Sequence, residues 1–424
     1  MPIFVGAGTS SFMKETGGIG FSKRTSTEID NLTGMVSGQV VYDTTAGALK
    51  FYDGSNWLKV SSVQAILNSV TGNIFAGAAS NLTLSGEGFL SGNLVVNFTQ
   101  ASDNINVNVT VNPSSDTAAT VAVPSSVYNN VTAGNVVAIK VTNSDGTTSG
   151  TVNKTAAALP SGGTKTTSGG YTYHTFTSSG NFVNTIASLS TEFLLVAGGG
   201  GGGSGDDGAG GGSGAGAGGA IDGTATLNVG TYGVVIGGGG GGGHRSGGGV
   251  GTNGSNSTFN SNTAIGGGFG VDNGATTNGQ GGGSGGGGFR SGSVGSGTSG
   301  QGTNGGTGGG AGSPAAGGGG GGKGGGGGNA TSTVGGSGGP GINWKSLGTF
   351  YAGGGGGGGD GSGSGGSGGS SVGGNGTAGG TQSNNNNHAT ANRGGGGGGT
   401  GANTGTYYRG SNGGSGICII RYQL

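Results

Sequence analysis

Charge is scarce in this chain. Only 7% of its 424 residues are Asp, Glu, Lys or Arg, and the 15 basic and 15 acidic side chains cancel at neutral pH. Without a basic patch there is no electrostatic footprint for nucleic acid, and without an acidic tail there is none for a cationic partner. Cysteine is reduced to Cys418. That excludes an internal disulfide framework and a cysteine zinc site, and Cys418 itself reads as a small buried apolar residue in a strand. No apolar run approaches the length of a membrane span. Met1-Pro2-Ile3-Phe4-Val5-Gly6 lacks the positive charge and the long apolar stretch of a secretion signal. The expectation is a protein made in the cytosol and carried out on a particle.

Signals of catalysis are missing as well. His174, His244 and His388 stand far apart and belong to no HExxH or nucleophile-elbow pattern. Gly322-Lys323-Gly324 lacks the Ser/Thr and the strand–helix frame of a P-loop. Gly202-Gly203-Ser204-Gly205-Asp206-Asp207-Gly208-Ala209 fits a calcium-binding nonapeptide once. That pattern works only in tandem, so a single copy reads as a solvated loop. No enzyme activity, cofactor or metal is expected.

What the chain has instead is glycine. Of its 123 glycines, 101 fall after residue 197, and they come in pure runs at 198–203, 237–243, 317–322, 324–328, 353–359 and 394–399. Glycine has no side chain to bury, so a hydrophobic core cannot hold this half together, and glycine loses the most backbone entropy on ordering. Backbone hydrogen bonding is the remaining candidate. A residue without Cβ can take an extended three-per-turn helix and pack copies side by side, as collagen does at its axis. At about 3.1 Å per residue a run of six or seven spans roughly 20 Å, which suits a slab of short rods joined by loops. The alternative is a flexible Gly/Ser linker. Against it, Glu192-Phe193-Leu194-Leu195-Val196-Ala197 and Tyr232-Gly233-Val234-Val235-Ile236 run straight into glycine runs, and the chain closes on Gly416-Ile417-Cys418-Ile419-Ile420-Arg421-Tyr422-Gln423-Leu424. These are strand-like segments, read here as a small β base that anchors the rods.

The expected fold is mainly β in three parts: an N-terminal hairpin module (1–60), an immunoglobulin-like β-sandwich (61–158), and a glycine-rich domain (159–424) of packed polyglycine II helices on the β base. In the first, strands flank 43–48 and Asp53-Gly54 signals a tight turn before a third. The module is too small to be stable alone, so it docks on a neighbour or forms an oligomer. In the second, Ile105-Asn106-Val107-Asn108-Val109-Thr110-Val111 alternates strictly, and 82–84, 94–98, 120–123 and 136–142 supply further strands.

Three resemblances follow from these residues. The hairpins of 38–60 resemble modules of bacteriophage tail-fibre and virion proteins. Leu82-Thr83-Leu84-Ser85-Gly86-Glu87-Gly88-Phe89, Val121-Ala122-Val123-Pro124 and Val141-Thr142-Asn143-Ser144-Asp145-Gly146 resemble IPT/TIG-type immunoglobulin-like domains, which usually act as spacers or adhesive modules. Tyr171-Thr172-Tyr173-His174-Thr175-Phe176, then Phe193-Leu194-Leu195-Val196-Ala197 with its glycines, the later runs and the final Gly-Ile-Cys-Ile-Ile-Arg-Tyr strand resemble the glycine-rich domains of bacteriophage tail-fibre adhesins, including the distal adhesins of T-even-type phages. The last resemblance implies a lattice of packed helices whose intervening loops contact the host surface.

Loops on a stiff scaffold are the usual place for recognition. The inserts are 244–265, 289–316, 329–352, 360–393 and 400–415, and their large residues are His244-Arg245, Phe259, Phe289-Arg290, Trp344-Lys345, Phe350-Tyr351 and Tyr407-Tyr408-Arg409. Aromatic and arginine anchors among small polar residues are the composition of binding loops. The residues expected to bind a receptor are Phe289, Arg290, Trp344, Tyr407, Tyr408 and Arg409, with Asn384–Asn387 and His388 as a polar tip. Expected partners are other virion tail proteins, a host surface glycan or outer-membrane receptor, and further copies of the chain, as in trimeric phage fibres; nucleic acid is not expected. The rival readings are a virion structural or decoration protein on head or baseplate, and a bacterial surface protein.

Overall fold

The structure, a computed structural model, describes residues 21–60, 64–90, 92–205, 210–244, 250–272, 278–380, 383–402 and 408–424. It is mainly β and separates into two compact units, Met1–Ala158 and Leu159–Leu424.

Within the first unit, strands Ser22–Arg24, Val40–Asp43, Ala48–Tyr52 and Trp57–Lys59 form a four-stranded sheet in chain order, the first pair parallel and the others antiparallel. A short helix, Ser26–Asp30, carries a capping box between Thr25 and Glu28. It places Ile29, fully buried, near Val41 and Asp43. Asp43 accepts from Ser26 Oγ at 2.6 Å and pairs with Lys50 Nζ at 2.8 Å. Lys50 and Ser26 hold its carboxyl well below the usual carboxylate range. The same unit contains a sandwich. Ile66–Thr71, Asn81–Glu87 and Ala118–Ala122 make one sheet; Val152–Thr155, Val136–Thr142, Leu94–Gln100 and Ile105–Val111 make the other. Alternate residues of both sheets (Leu82 and Leu84, Val96 and Phe98, Ile139 and Val141) close one dry core.

The second unit has a β base. Its five-stranded antiparallel sheet runs Thr164–Ser168, Tyr171–Phe176, Ile417–Tyr422, Leu189–Val196, Ala220–Leu227. The C-terminal strand lies in the centre and is buried on both faces, which explains its unbroken apolar run. Cys418, Ile420 and Tyr422 join Phe182, Phe193 and Phe259 in a core shared with a second sheet of Gly180–Asn184, Gly230–Val235, Ser257–Phe259 and Asn262–Ala264. Ile417 and Ile419 face the other way, onto Trp344 and Tyr351. Burial pushes the Cys418 thiol up, as suits an inert core residue.

His174 is buried in the first of these cores. Its Nδ1 lies 2.7 Å from the Gly162 carbonyl, which can only accept, so Nδ1 carries the proton. Nε2 of the neutral ring then accepts from the Tyr422 hydroxyl at 3.2 Å. Burial first, and the charge of Lys165 in addition, lower the His174 pKa below its ordinary 6.5. The fold therefore favours the neutral ring. Its contribution is complete above pH 6.5 and is lost as pH falls from there through the lower folded value. Thermal unfolding should show the melting temperature dropping between pH 7 and pH 5, with a smaller drop in His174→Gln. Equal drops in both proteins would assign the titration to other groups.

The rest of the unit is a hydrogen-bonded lattice. In run 198–203, the N–H groups of residues 198 and 201 bond the carbonyls of 255 and 252; those of 199 and 202 bond 414 and 411; those of 200 and 203 bond 216 and 213. Residues three apart address the same neighbour, which is the signature of a threefold helix. The carbonyls of the run accept from three more rods: 199 and 202 from 240 and 243, 198 and 201 from 267 and 270, 200 and 203 from 397 and 400. Six neighbours thus surround one rod. Rods 211–219 and 353–360 are enclosed in the same manner. Each rod runs between a basal end at the sheets and a distal end.

The lattice contains more rods than pure glycine runs. Segments 251–255, 265–271, 284–288, 302–309, 335–341, 363–369, 373–380 and 410–416 also bond as rods. Each of the expected insert loops therefore contains a stretch of lattice. A rod at the rim lacks neighbours on some sides and tolerates side chains there. The rim is finished by asparagine: Oδ1 of Asn253, Asn256, Asn304, Asn329, Asn375 and Asn412 accepts from the N–H of Phe269, Gly266, Gly297, Thr307, Gly368 and Gly242 respectively, at 2.7–3.1 Å. Each carboxamide stands in for the carbonyl of an absent rod.

Candidate functional site

At the distal end of the lattice the described ends of neighbouring rods meet: the Gly243 N–H bonds the Gly202 carbonyl, the Thr400 N–H the Gly203 carbonyl, and the Gly203 N–H the Ser213 carbonyl. Of the residues expected to bind, Tyr408 and Arg409 lie here, while Tyr407 is outside the described residues, as are Arg245, Asp206 and Asp207. Tyr408 is half-buried and Arg409 exposed. The backbone beneath Arg409 is pinned on both sides. Its N–H donates to Asn384 Oδ1 and its carbonyl accepts from the Asn385 N–H, both at 2.8 Å. Gly410 N–H then bonds the Gly243 carbonyl at 3.0 Å, next to half-buried His244.

Asn384–Asn387 was expected as a polar tip. Asn384 is instead the cap that holds Arg409. Asn385 is 1% exposed and inserts its amide between the Asn375 and Gly399 carbonyls, at 2.8 and 3.1 Å. His388 is exposed and accepts from the Asn412 N–H through Nδ1. The arrangement offers a fixed main chain with an exposed arginine, next in sequence to a half-buried tyrosine.

Phe289 and Arg290 reach the same end but divide. Phe289 is fully buried against Val271 and Ala315, so it is not a loop tip. It fills a gap that glycine cannot: a Cβ on Gly210 would strike its ring. Arg290 is half-buried, with its guanidinium carbon 5.2 Å from the Phe289 ring centre.

Trp344 belongs to the opposite end. Strands Ile342–Asn343 and Phe350–Tyr351 form a hairpin, and the turn between them holds Lys345 and Ser346 at φ 52° and 56°. Trp344 is 4% exposed and packs with Leu194, Val196, Ile417 and Ile419 on the basal sheet. Apolar area at that position was worth more against the sheet than in solvent. Phe259 is likewise core, and Tyr351 is buried with Arg393 5.1 Å above its ring; Phe350 stays exposed.

The hairpin is latched by a group that the sequence reading passed over. Arg421 Nε donates to Glu192 Oε2 at 2.6 Å, and Lys345 Nζ reaches Glu192 Oε1 at 2.8 Å. The Arg421 guanidinium carbon sits 4.1 Å from the Tyr171 ring centre and 5.3 Å from that of Trp344. The Lys345 hydrogen bond leads in holding the Glu192 carboxyl below its ordinary range, with Arg421 adding to it. The available signal was a lone arginine inside an apolar strand.

Among the described residues no three His, Cys, Asp or Glu side chains gather as metal ligands. Lys323 spans to the Gly300 carbonyl and frames no phosphate loop. Compared with known protein families, residues 176–423 match the model described as a glycine-rich domain. No curated protein matches the chain.

Proposed function

This chain belongs to the glycine-rich domain family, and from that premise we propose that it is a bacteriophage tail-fibre or tail-tip protein that recognises the host cell surface. The observation that carries this reading is the distal end: Arg409 is exposed on a main chain fixed by Asn384, Asn385 and Gly243, next in sequence to half-buried Tyr408. Rigid presentation lowers the entropy lost on binding. A guanidinium beside a tyrosine suits the anionic groups and ring faces of a surface glycan, or a loop of an outer-membrane receptor. In this reading the N-terminal sheet attaches the protein to other tail proteins. The sandwich, which resembles IPT/TIG domains, spaces it. The protein is made in the host cytoplasm and assembled onto the virion, without enzymatic activity or contact with nucleic acid.

A second reading is a virion structural or decoration protein. It is favoured by the internal positions of Phe289 and Trp344, which remove two aromatic anchors from the surface. One experiment separates the two. Labelled full-length chain is titrated onto cells that the parent particle infects, beside a Tyr408→Ala/Arg409→Ala variant with an unchanged melting temperature. Saturable binding weakened at least about tenfold in the variant, roughly 1.4 kcal/mol, is expected for the adhesin. Absence of binding by the wild type would favour the structural role.

A further inference from the structure

Five Asn-Gly steps lie in the described part of the glycine-rich unit: Asn253-Gly254, Asn278-Gly279, Asn304-Gly305, Asn375-Gly376 and Asn412-Gly413. All five are built alike. The asparagine is exposed and the glycine half-buried. The asparagine Oδ1 accepts a main-chain N–H from a neighbouring segment, that of Phe269, Ser293, Gly297, Gly368 and Gly242 in turn, at 2.7–3.1 Å. The glycine N–H donates to a carbonyl, that of Gly267, Ser293, Gly295, Gly366 and Gly240 in turn, again at 2.7–3.1 Å. Glycine is obligatory there, because a Cβ would strike a backbone oxygen: Gly198 for Gly254, Gly286 for both Gly279 and Gly305, Gly357 for Gly376 and Gly199 for Gly413. A rim that caps itself with asparagine one residue before such a position has to be written Asn-Gly.

That dipeptide is chemically labile. The glycine nitrogen, once hydroxide has taken its proton, attacks the asparagine Cγ. A C–N bond forms and closes a succinimide ring, and the side-chain amide leaves as ammonia. Water then opens the ring at either carbonyl, leaving aspartate or isoaspartate. Asparagine is thermolabile for this reason, and glycine is its worst follower, since no side chain obstructs ring closure and the main chain turns freely. The reaction needs a nitrogen that can lose its proton and a carboxamide that can swing onto it. At each of the five steps the lattice holds both groups in hydrogen bonds. We infer that these five asparagines are modification sites of the unfolded chain that the lattice closes: the chain ages by deamidation until its rods assemble, and assembly arrests it. Isoaspartate routes the main chain through the side chain and adds one carbon to it, which breaks the three-residue spacing of a rod. A chain aged before folding therefore cannot complete its rim. The inference is independent of the distal site.

The test holds the full-length chain in mildly alkaline buffer, folded or unfolded in guanidinium chloride, and follows the five sites by peptide mass spectrometry. A free peptide of residues 410–416 supplies the reference rate in each medium. Unfolded chain should accumulate aspartate and isoaspartate at all five sites at the peptide's rate. Opening a site breaks two hydrogen bonds, so the folded chain should react at least about tenfold more slowly than the peptide. A second measurement uses the folded chain alone. Hydrogen exchange at Gly254, Gly279, Gly305, Gly376 and Gly413 reports the same opening, so the glycine that exchanges fastest should follow the asparagine that deamidates first. Refolding yield should fall in step with the isoaspartate formed while the chain is held unfolded. Folded chain that reacts as fast as the peptide, or a deamidation order unrelated to the exchange order, overturns the proposal.

Discussion

Gly201→Ala should lower the melting temperature of the glycine-rich unit by about 10 °C, whereas Gly238→Ala should leave it unchanged or raise it slightly. Both residues lie in uninterrupted glycine runs, and sequence alone makes them equivalent. Their surroundings differ. A Cβ on Gly201 would land on the Gly241 carbonyl oxygen, with the Gly242 nitrogen 2.8 Å away. Neither is a flexible side chain that can turn aside. The obstruction repeats along the rod: Cβ atoms at 198 and 201 meet 238 and 241, those at 199 and 202 meet 395 and 398, and those at 200 and 203 meet 268 and 271. Every position of rod 198–203 is therefore closed to a methyl group.

The cost has two parts. Overpacking alone is worth about 1–3 kcal/mol. Spreading the two rods also stretches the bonds from Gly240 to Gly199 and from Gly243 to Gly202, each worth about 1 kcal/mol. A total of about 3 kcal/mol or more corresponds to about 10 °C in a unit of this size. At Gly238 nothing lies within 4 Å of the added methyl. The backbone there is already one that alanine adopts, and alanine loses less entropy on folding, a gain of about 0.4–1 kcal/mol. Differential scanning calorimetry on the two variants decides it. Equal destabilisation would mean that rod 237–243 is enclosed by a partner.

This contrast also explains what the sequence could and could not reveal. The pure runs at 198–203, 353–359 and 394–399 announce rods because all three sides of each must admit a neighbour, so only glycine survives there. Rods such as 363–369 and 373–380 have open sides, carry Ser, Asn, Thr and Ala on them, and so read as loops. The asparagines were legible as polar but not as lattice caps, since Asn253 and Asn256 acquire that role only when rod 265–271 lies alongside. The β base was legible in the apolar segments 192–197 and 417–422, whose alternation was hidden because both faces are buried. At the site, Arg409 was visible as an exposed cation in a small-residue setting. Phe289 and Trp344 carried the same signal for a different reason: a lattice without side chains leaves gaps at its ends, and large residues fill them.

Arg421→Met should cost about 2–4 kcal/mol, and most of it arises at Glu192. Arg421 is 8% exposed, and its guanidinium satisfies Glu192, the Tyr173 hydroxyl and the faces of Tyr171 and Trp344 together. Breaking a buried pair on one side typically costs about 3–5 kcal/mol because the other charge stays desolvated. Here the figure is reduced, since the Glu192 side chain is 25% exposed and keeps Lys345. Lys345→Ala should cost under about 1 kcal/mol, because its side chain is 38% exposed and water replaces it. Arg421→Met/Glu192→Gln should then be less damaging than the sum of its single variants, as two groups in one network couple. Urea unfolding of the four proteins measures this directly. A loss under about 1 kcal/mol for Arg421→Met would show that hairpin 342–351 is held by Trp344 and Tyr351 alone, with the charges as solvated company.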